Sequence, residues 1–472
     1  MDMERPNHKH SDRWRHRTVL AAITVLGVLS AAVYGLNFKI YNLFPAFSGL
    51  SKIQLYVVMF LFLSVLYLGA VVLVLKKTPR KATSWSLILM ILLLSVFFRI
   101  NLVPSEPTVL SKDMYRFIWD GRVQLKGINP YRYPPGAAEL KDLRDDQIFP
   151  NINRREYPTL YPAGAQIFFR LVHVLAGNSV AGFKGIMVIF DILSILLLMA
   201  LLQRHGLNRS RIIIYAWNPL VIFEIAYSGH LEGLTVFLMV GALYLAAIHK
   251  KLPGIVMLAF SAAVKMYPAL LLAAFLNRAN RIKGLVAFFV TILILYLPFL
   301  GAGSKISGFL PVYLKNPYES FNLGLKYLLM RLLPGLDYYL LSLLFILFLA
   351  IAGLVVFFKD KEDADISWYA YILTGLSMIL MPASLHPWYV ILIVPFLTIY
   401  PGAAWLIFTC TVTLSYLKYT APQGIMPTWI LLAEYLPLFA LLTVGYIFRR
   451  YKRRHRTSGM DFSRKNQEMA GV

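Results

Sequence analysis

The sequence predicts an all-α, polytopic membrane protein of about fourteen membrane segments, some of them short or broken. Three observations carry that expectation. Hydrophobic residues fill 58% of 472 positions, the mean hydropathy is +0.63, and charged residues fall to 15%, against roughly 25% in soluble proteins. Apolar runs of spanning length recur from Thr18 to Phe448, and the longest polar interruption covers residues 101–160, too little for a large soluble domain. The formal net charge of +24 is also unevenly placed. It gathers at the two ends (Arg5, Lys9, Arg13, Arg15, Arg17; Arg449, Arg450, Lys452, Arg453, Arg454, Arg456) and in short loops, the distribution that marks the cytoplasmic side of membrane proteins. With no soluble groove to carry it, this charge argues for a lipid bilayer as partner and against nucleic acid. The single cysteine, Cys410, rules out a disulfide framework.

The elements follow in order. Residues 1–17 read as a cytoplasmic basic tail, and the first apolar run as a retained signal anchor because it is long and lacks a small-residue cleavage site. Spans are expected near 18–36, 55–75 and 84–103. Lys76, Lys77, Arg80 and Lys81 between the last two place that loop, and the amino terminus, in the cytoplasm. Residues 104–179 then form a large external loop. Spans near 180–202, 211–227 and 231–249 come next, with Arg204, Arg209 and Arg211 inside. Read as one helix, 254–277 would turn Arg278, Arg281 and Lys283 outward. Lys265 and Pro268 favour a broken hairpin instead, since a mid-run lysine needs a polar cavity and proline interrupts the helical bonding. Spans near 282–300, 338–358, 366–384, 388–400, 402–418 and 428–448 complete the count, and 449–472 reads as a basic, disordered cytoplasmic tail. There is no internal repeat.

The external segment carries most of the chemistry. In SKDMYRFIWDGRVQLKGINPYRYPP (111–135), Met114, Tyr115, Ile118, Trp119 and Val123 recur near helical spacing, while Arg116, Asp120 and Arg122 lie on other faces. This predicts an amphipathic helix lying on the membrane, ended by Asn129-Pro130 and Pro134-Pro135. A second amphipathic piece is expected over 158–177, where Arg170 and His173 make a transmembrane path costly. On this topology Asp113, His230, Glu232, Lys265 and His386 converge on one membrane face. Glu224, in an apolar run, is expected to reach the same face; its plainer reading is a hydrogen bond to a neighbouring helix. The plainer reading makes the loop an interfacial lid and Trp388 and Tyr389 belt aromatics.

These residues resemble the GT-C superfamily of membrane glycosyltransferases, and within it the polyprenol-phosphate-mannose-dependent mannosyltransferases of glycosyltransferase family 87 and their bacterial relatives. The similarity covers roughly residues 84–400. Its strongest element is D-x-Y-R-x-x-W-D-G-R-V-x-x-x-G-I-N-P-Y-x-Y-x-P, from Asp113 to Pro135. Tyr157-Pro158 through Gln166, Trp217-Asn218-Pro219-Leu220 with Glu224 and Gly229-His230, Lys265-x-Tyr-Pro268 and His386-Pro-Trp-Tyr389 support it in order. The resemblance implies a GT-C-like catalytic domain over 84–448 and a catalytic acid near the start of the first external loop. Because that loop follows the third span here and the first in many relatives, 18–83 reads as an added amino-terminal hairpin.

The implied substrates are a polyprenyl-phosphate sugar donor, mannose by analogy with the family, and a glycolipid or polysaccharide acceptor. Asp113 is the expected general base for the acceptor hydroxyl. Arg116, Lys265 and His386 are candidates to stabilise the departing phosphate. Trp119, Tyr131, Trp388 and Tyr389 are candidates to contact the sugar or acceptor by stacking, and Asp120, His230 and Glu232 by hydrogen bonding. Asp120 and Arg122 are alternatively a pair that holds the loop. No cofactor is expected. A divalent metal on Asp113, Glu232, His230 and His386 is the alternative, without any spacing signature to mark it. The expected location is a bacterial inner membrane, with both termini cytoplasmic and the chemistry on the other face. Three other readings stay open: a transporter or flippase of lipid-linked saccharides, which a broken helix with an intramembrane lysine would suit, a glycan ligase, and a non-catalytic membrane scaffold.

Overall fold

The computed structural model describes residues 8–39, 49–78, 84–105, 109–315 and 321–469. Arg5, Arg80 and Lys81, which entered the charge argument, lie outside them. Among the described residues there are helices and turns but no strand. The longer helices are α1 (His8–Leu36), α2 (Lys52–Lys77), α3 (Trp85–Leu102), α4 (Asp113–Leu125), α5 (Ala163–Ala176), α6 (Val180–Arg204), α7 (Glu232–Ala247), α8 (Lys251–Val264), α9 (Arg281–Tyr296), α10 (Tyr338–Phe358), α11 (Ile366–Ile379) and α12 (Thr428–Met469). Their starts follow the sequence. Ser51 and Gln54 form a capping box on α2, and Ser84, Ser179 and Asp337 accept the exposed backbone N–H groups of α3, α6 and α10.

Seven helices among the described residues are long and apolar enough to cross a membrane: 17–36, 52–77, 85–102, 180–204, 281–312, 338–358 and 428–448. Each coincides with an expected span, and together they point to a membrane protein. They are half of the fourteen or so expected segments. The remainder are short or broken for local reasons. Asn218 ends one helical turn and caps the next with its side chain, and Phe223–Tyr227 forms a π-turn around Glu224. At the expected break, α8 stops at Lys265, which is extended (φ −140°, ψ 136°), and a tight turn resumes over Tyr267–Leu271. The segment from Pro387 likewise enters as a tight turn and becomes α-helical only over Val394–Ile399. At the far end, the residues expected to be disordered continue α12 as far as Met469; their Arg, Lys, Glu, Gln and Met are good helix formers.

Buried polar pairs join the helices. Arg99 on α3 meets Asp191 on α6 at 2.6 Å with neither side chain exposed, and Arg99 also donates to Ser95 and to the Ala216 carbonyl. Tyr215 donates to the other Asp191 oxygen at 2.7 Å. Lys184 of α6 donates to the Leu102 and Ser105 carbonyls, closing the end of α3. The amino-terminal helices are integral to the core: α1 packs on α2 and α3, Tyr67 donates to the Ile214 carbonyl, and Tyr56 packs edge-on against Phe223 and Tyr416.

Helix α4 departs from the expected interfacial helix. Ten of its residues, from Met114 to Gln124, are buried, including Arg116 and Asp120. Helices α5 and α6 cover one side of it, and the loop after it folds back over the other through Leu140, Ile148 and Ile152. Helix α5 does keep an apolar exposed face at Ile167, Leu171, Val174 and Leu175, as an amphipathic helix against lipid requires.

Candidate active site

A cavity of about 490 Å³ opens among the ends of these elements, within the range of small-molecule sites. Its wall is drawn from the start of α4, the loop at 153–162, the break at 264–267, Phe309 and Leu310, and the segment 381–389. Six expected site residues line it: Asp113, Arg116, Lys265, His386, Trp388 and Tyr389. The first and last of them are 276 positions apart in sequence (389 − 113), and only the tertiary fold brings them together.

Asp113 opens α4, where the positive end of the helix dipole favours a carboxylate. It is half-buried. Asn153 donates to Oδ1 at 2.7 Å and the Tyr161 hydroxyl to Oδ2 at 3.3 Å. Burial, with Asp113 and Glu232 nearby, pushes the Tyr161 hydroxyl well above its ordinary pKa, so it stays a donor.

Lys265 reaches the cavity from the helix break, ion-paired to Glu232 at the start of α7, with its ammonium 4.8 Å from the centre of the Tyr389 ring. Arg116 is more committed. Its Nε donates to Asp120 at 2.8 Å and its Nη1 to the Tyr157 carbonyl at 3.1 Å. Asp120 in turn accepts from Gln166, which also donates to Thr159. This network ties α4 to α5 and to the loop.

The His386 ring is stacked on Phe321 at 4.7 Å and on Trp388 at 4.3 Å. Burial, and the charges of Lys265, Arg154 and Lys418, push its pKa down to about 3. The ring is therefore neutral near pH 7 and offers a hydrogen bond rather than a charge. His230 covers the other face of Trp388 at 4.1 Å. With an imidazole on each face, Trp388 has only its edge to offer a ligand.

The other five expected residues stand outside the cavity wall. Glu232 is the partner of Lys265, and Asp120 that of Arg116. His230 is buried behind Trp388, its Nε2 3.4 Å from Glu224. Glu224 accepts from Tyr416 at 2.7 Å, the neighbouring-helix bond of its plainer reading. Trp119 is buried between Phe149 and the Arg122 guanidinium. Tyr131 packs on Phe299 and donates to the Tyr161 carbonyl at 2.7 Å.

The expected Asp120–Arg122 pair does not form, because i and i+2 lie on different sides of a helix. Asp120 faces Arg116, and Arg122 meets Asp145 at 2.5 Å. Burial works against the Asp145 charge, but Arg122 and the Ile148 and Phe149 amides outweigh it and hold the carboxyl below its usual pKa. Among the described residues, no three His, Cys, Asp or Glu side chains are grouped to hold a metal ion. Asn153 carried no signal in the sequence. Tyr161 lay inside a noted segment without an assigned role.

A helical bundle with several helices of membrane-spanning length, around a cavity that holds a hydrogen-bonded carboxylate and cations, defines a candidate membrane-embedded group-transfer enzyme. The family model described as alpha-(1->6)-mannopyranosyltransferase, N-terminal domain, matches residues 18–280. That is more than half of the chain, and the chain belongs to this family. The expected kinship with mannosyltransferases is thereby met, and glycosyltransferase activity with mannose, a sugar donor and a glycan acceptor go with it. The match also takes in α1 and α2, which the sequence reading set apart as an addition. No curated protein and no solved structure matches the chain.

Proposed function

We propose that this protein is a membrane mannosyltransferase that moves mannose from a polyprenyl-phosphate donor to a hydroxyl of a glycolipid or polysaccharide, in the α-(1→6) linkage of the family's description. The reaction is placed on the non-cytoplasmic face of a bacterial inner membrane. One observation carries the reading: Asp113, a half-buried carboxylate, shares a cavity with the Lys265 ammonium and the Arg116 guanidinium.

In the reaction, Asp113 accepts the proton of the attacking hydroxyl. The acceptor oxygen bonds to the anomeric carbon as the bond from that carbon to the phosphate oxygen breaks. Polyprenyl phosphate leaves with the electron pair. A phosphate needs no general acid, and Lys265, Arg116 and neutral His386 are the groups at hand to stabilise its charge. A single displacement inverts the anomeric centre, so an α-linked product requires a β-linked donor. Tyr389 remains an aromatic wall for sugar or acceptor.

The test uses purified full-length protein with radiolabelled polyprenyl-phosphate mannose and mannoside acceptors. Asp113→Asn should lower transfer by at least about 10²-fold, whereas Glu224→Gln, outside the cavity, should retain it. Full turnover in Asp113→Asn would remove the base. Uptake of lipid-linked sugar into vesicles without covalent transfer would mark a transporter.

A further inference from the structure

We infer that Asn153 and Tyr161 are positioning residues which hold the Asp113 carboxylate from both sides, and that the left-handed turn at Arg154 delivers Asn153 to it. This deepens the proposed function and rests on Asp113 being the base.

Asp113 is the first residue of α4, and Asn153 and Tyr161, which donate to its carboxylate, both lie outside that helix. The fixing groups arrive from the loop, 40 and 48 positions later, one on each carboxylate oxygen. A carboxylate has about four lone-pair sites. Two donors orient it and leave sites for an acceptor hydroxyl.

Tyr161 is locked in place. Its ring packs edge-on against Phe117 at 4.8 Å, its carbonyl accepts from Tyr131, and its N–H donates to Thr159. Tyr131, behind the cavity, thus acts on Asp113 through Tyr161.

Asn153 is exposed, and the backbone supplies its placement. Ile152 is buried on one side. On the other, the Arg155 carbonyl accepts from Gly136 at 2.7 Å. Between them Arg154 adopts φ +51°, a left-handed conformation that is strained for a non-glycine residue. Such strain persists only where the surroundings over-determine it. Here the turn is closed by the Tyr157 N–H on the Arg154 carbonyl at 3.1 Å, and the Arg154 guanidinium lies over the Phe309 ring at 5.5 Å.

The charged and titratable groups around Asp113 come from every neighbouring element. They are Lys112 and Arg116 beside it in sequence, Arg154 and Tyr161 from the loop, Lys265 from the facing wall with Glu232 paired behind it, and His386 beyond them.

The experiment measures the pH dependence of kcat/KM on the full chain with polyprenyl-phosphate mannose. A carboxylate that loses a donated hydrogen bond is easier to protonate. Asn153→Ala and Tyr161→Phe should therefore move the acid limb to higher pH and lower kcat about 10–100-fold, with donor KM nearly unchanged. Asn153→Asp, which sets a second carboxylate against the first, should move the limb furthest. Arg154→Gly and Arg154→Val remove the same charge, but valine opposes the left-handed turn; the limb should lie higher for valine. If Asn153→Ala does not fold, Tyr161→Phe, which removes one atom, carries the test.

Wild-type kcat and acid limb in both Asn153→Ala and Tyr161→Phe, beside an inactive Asp113→Asn, would overturn the positioning role and leave the base assignment standing. Full turnover in Asp113→Asn would overturn the base assignment itself.

Discussion

Lys265 and Glu232 form a pair whose two members have different duties. Glu232 is fully buried, and Lys265 reaches the cavity. Removing one partner of a buried pair costs about 3–5 kcal/mol, because the other is left charged and unpaired. Lys265→Met should therefore lower the unfolding temperature sharply, and Lys265→Met/Glu232→Met should recover most of that loss. Neither should restore mannosyl transfer if Lys265 acts on the donor phosphate. Thermal unfolding and turnover on the same samples read the two effects apart, and a single variant as stable as wild type would show that the pair is not coupled. Residue identity alone marked Lys265, since a lysine inside an apolar run needs a polar cavity. Nothing in it showed that Glu232 would be the partner, or that Trp388 would have both faces covered. Those facts depend on which side chains meet across helices.

At the scale of elements, α4 and α5 approach so closely that only glycine fits at 121. A Cβ there would stand 2.4 Å from the Phe169 carbonyl oxygen and 2.8 Å from the His173 Cβ. Gly121→Ala should cost about 1–3 kcal/mol through overpacking, with transfer falling as the cavity wall shifts, and unfolding in detergent would measure it. Unchanged stability would mean that the two helices separate freely. Helix α4 also shows where pattern reading stops. Its apolar spacing was legible and its existence was correctly inferred, but a buried helix and one lying on lipid present the same apolar stripe. The return of the loop through Leu140, Ile148 and Ile152 decided between them. Asn153 escaped notice for the same reason: an exposed polar residue in a loop has no periodicity to mark it.

Over the whole molecule, sidedness is the remaining proposal with a direct test. Cys410 is the only cysteine and is buried, which gives a quiet background for labelling. Asp146, in the loop after α4, and Arg278, between the broken segment and α9, are both exposed. In intact spheroplasts, a membrane-impermeant maleimide should label Asp146→Cys, and should label Arg278→Cys only after permeabilisation. The reverse pattern would put the cavity on the cytoplasmic side and remove the case for a polyprenyl-phosphate donor. The family match ends at residue 280, yet His386, Trp388 and Tyr389 line the cavity from beyond it. The site is a property of both halves.

From the sequence by itself came the membrane class, the seven long spans, the break at Lys265 and the candidate carboxylate at Asp113. The first three follow from local physics, apolar length and the cost of charge in lipid; Asp113 was singled out by the resemblance of its motif, Asp113 to Pro135, to known mannosyltransferases. Tertiary structure alone decided which cations face the cavity, which are spent on internal pairs, and which groups hold the carboxylate. These contacts join residues tens to hundreds of positions apart, and such pairings are set by packing that no local periodicity encodes.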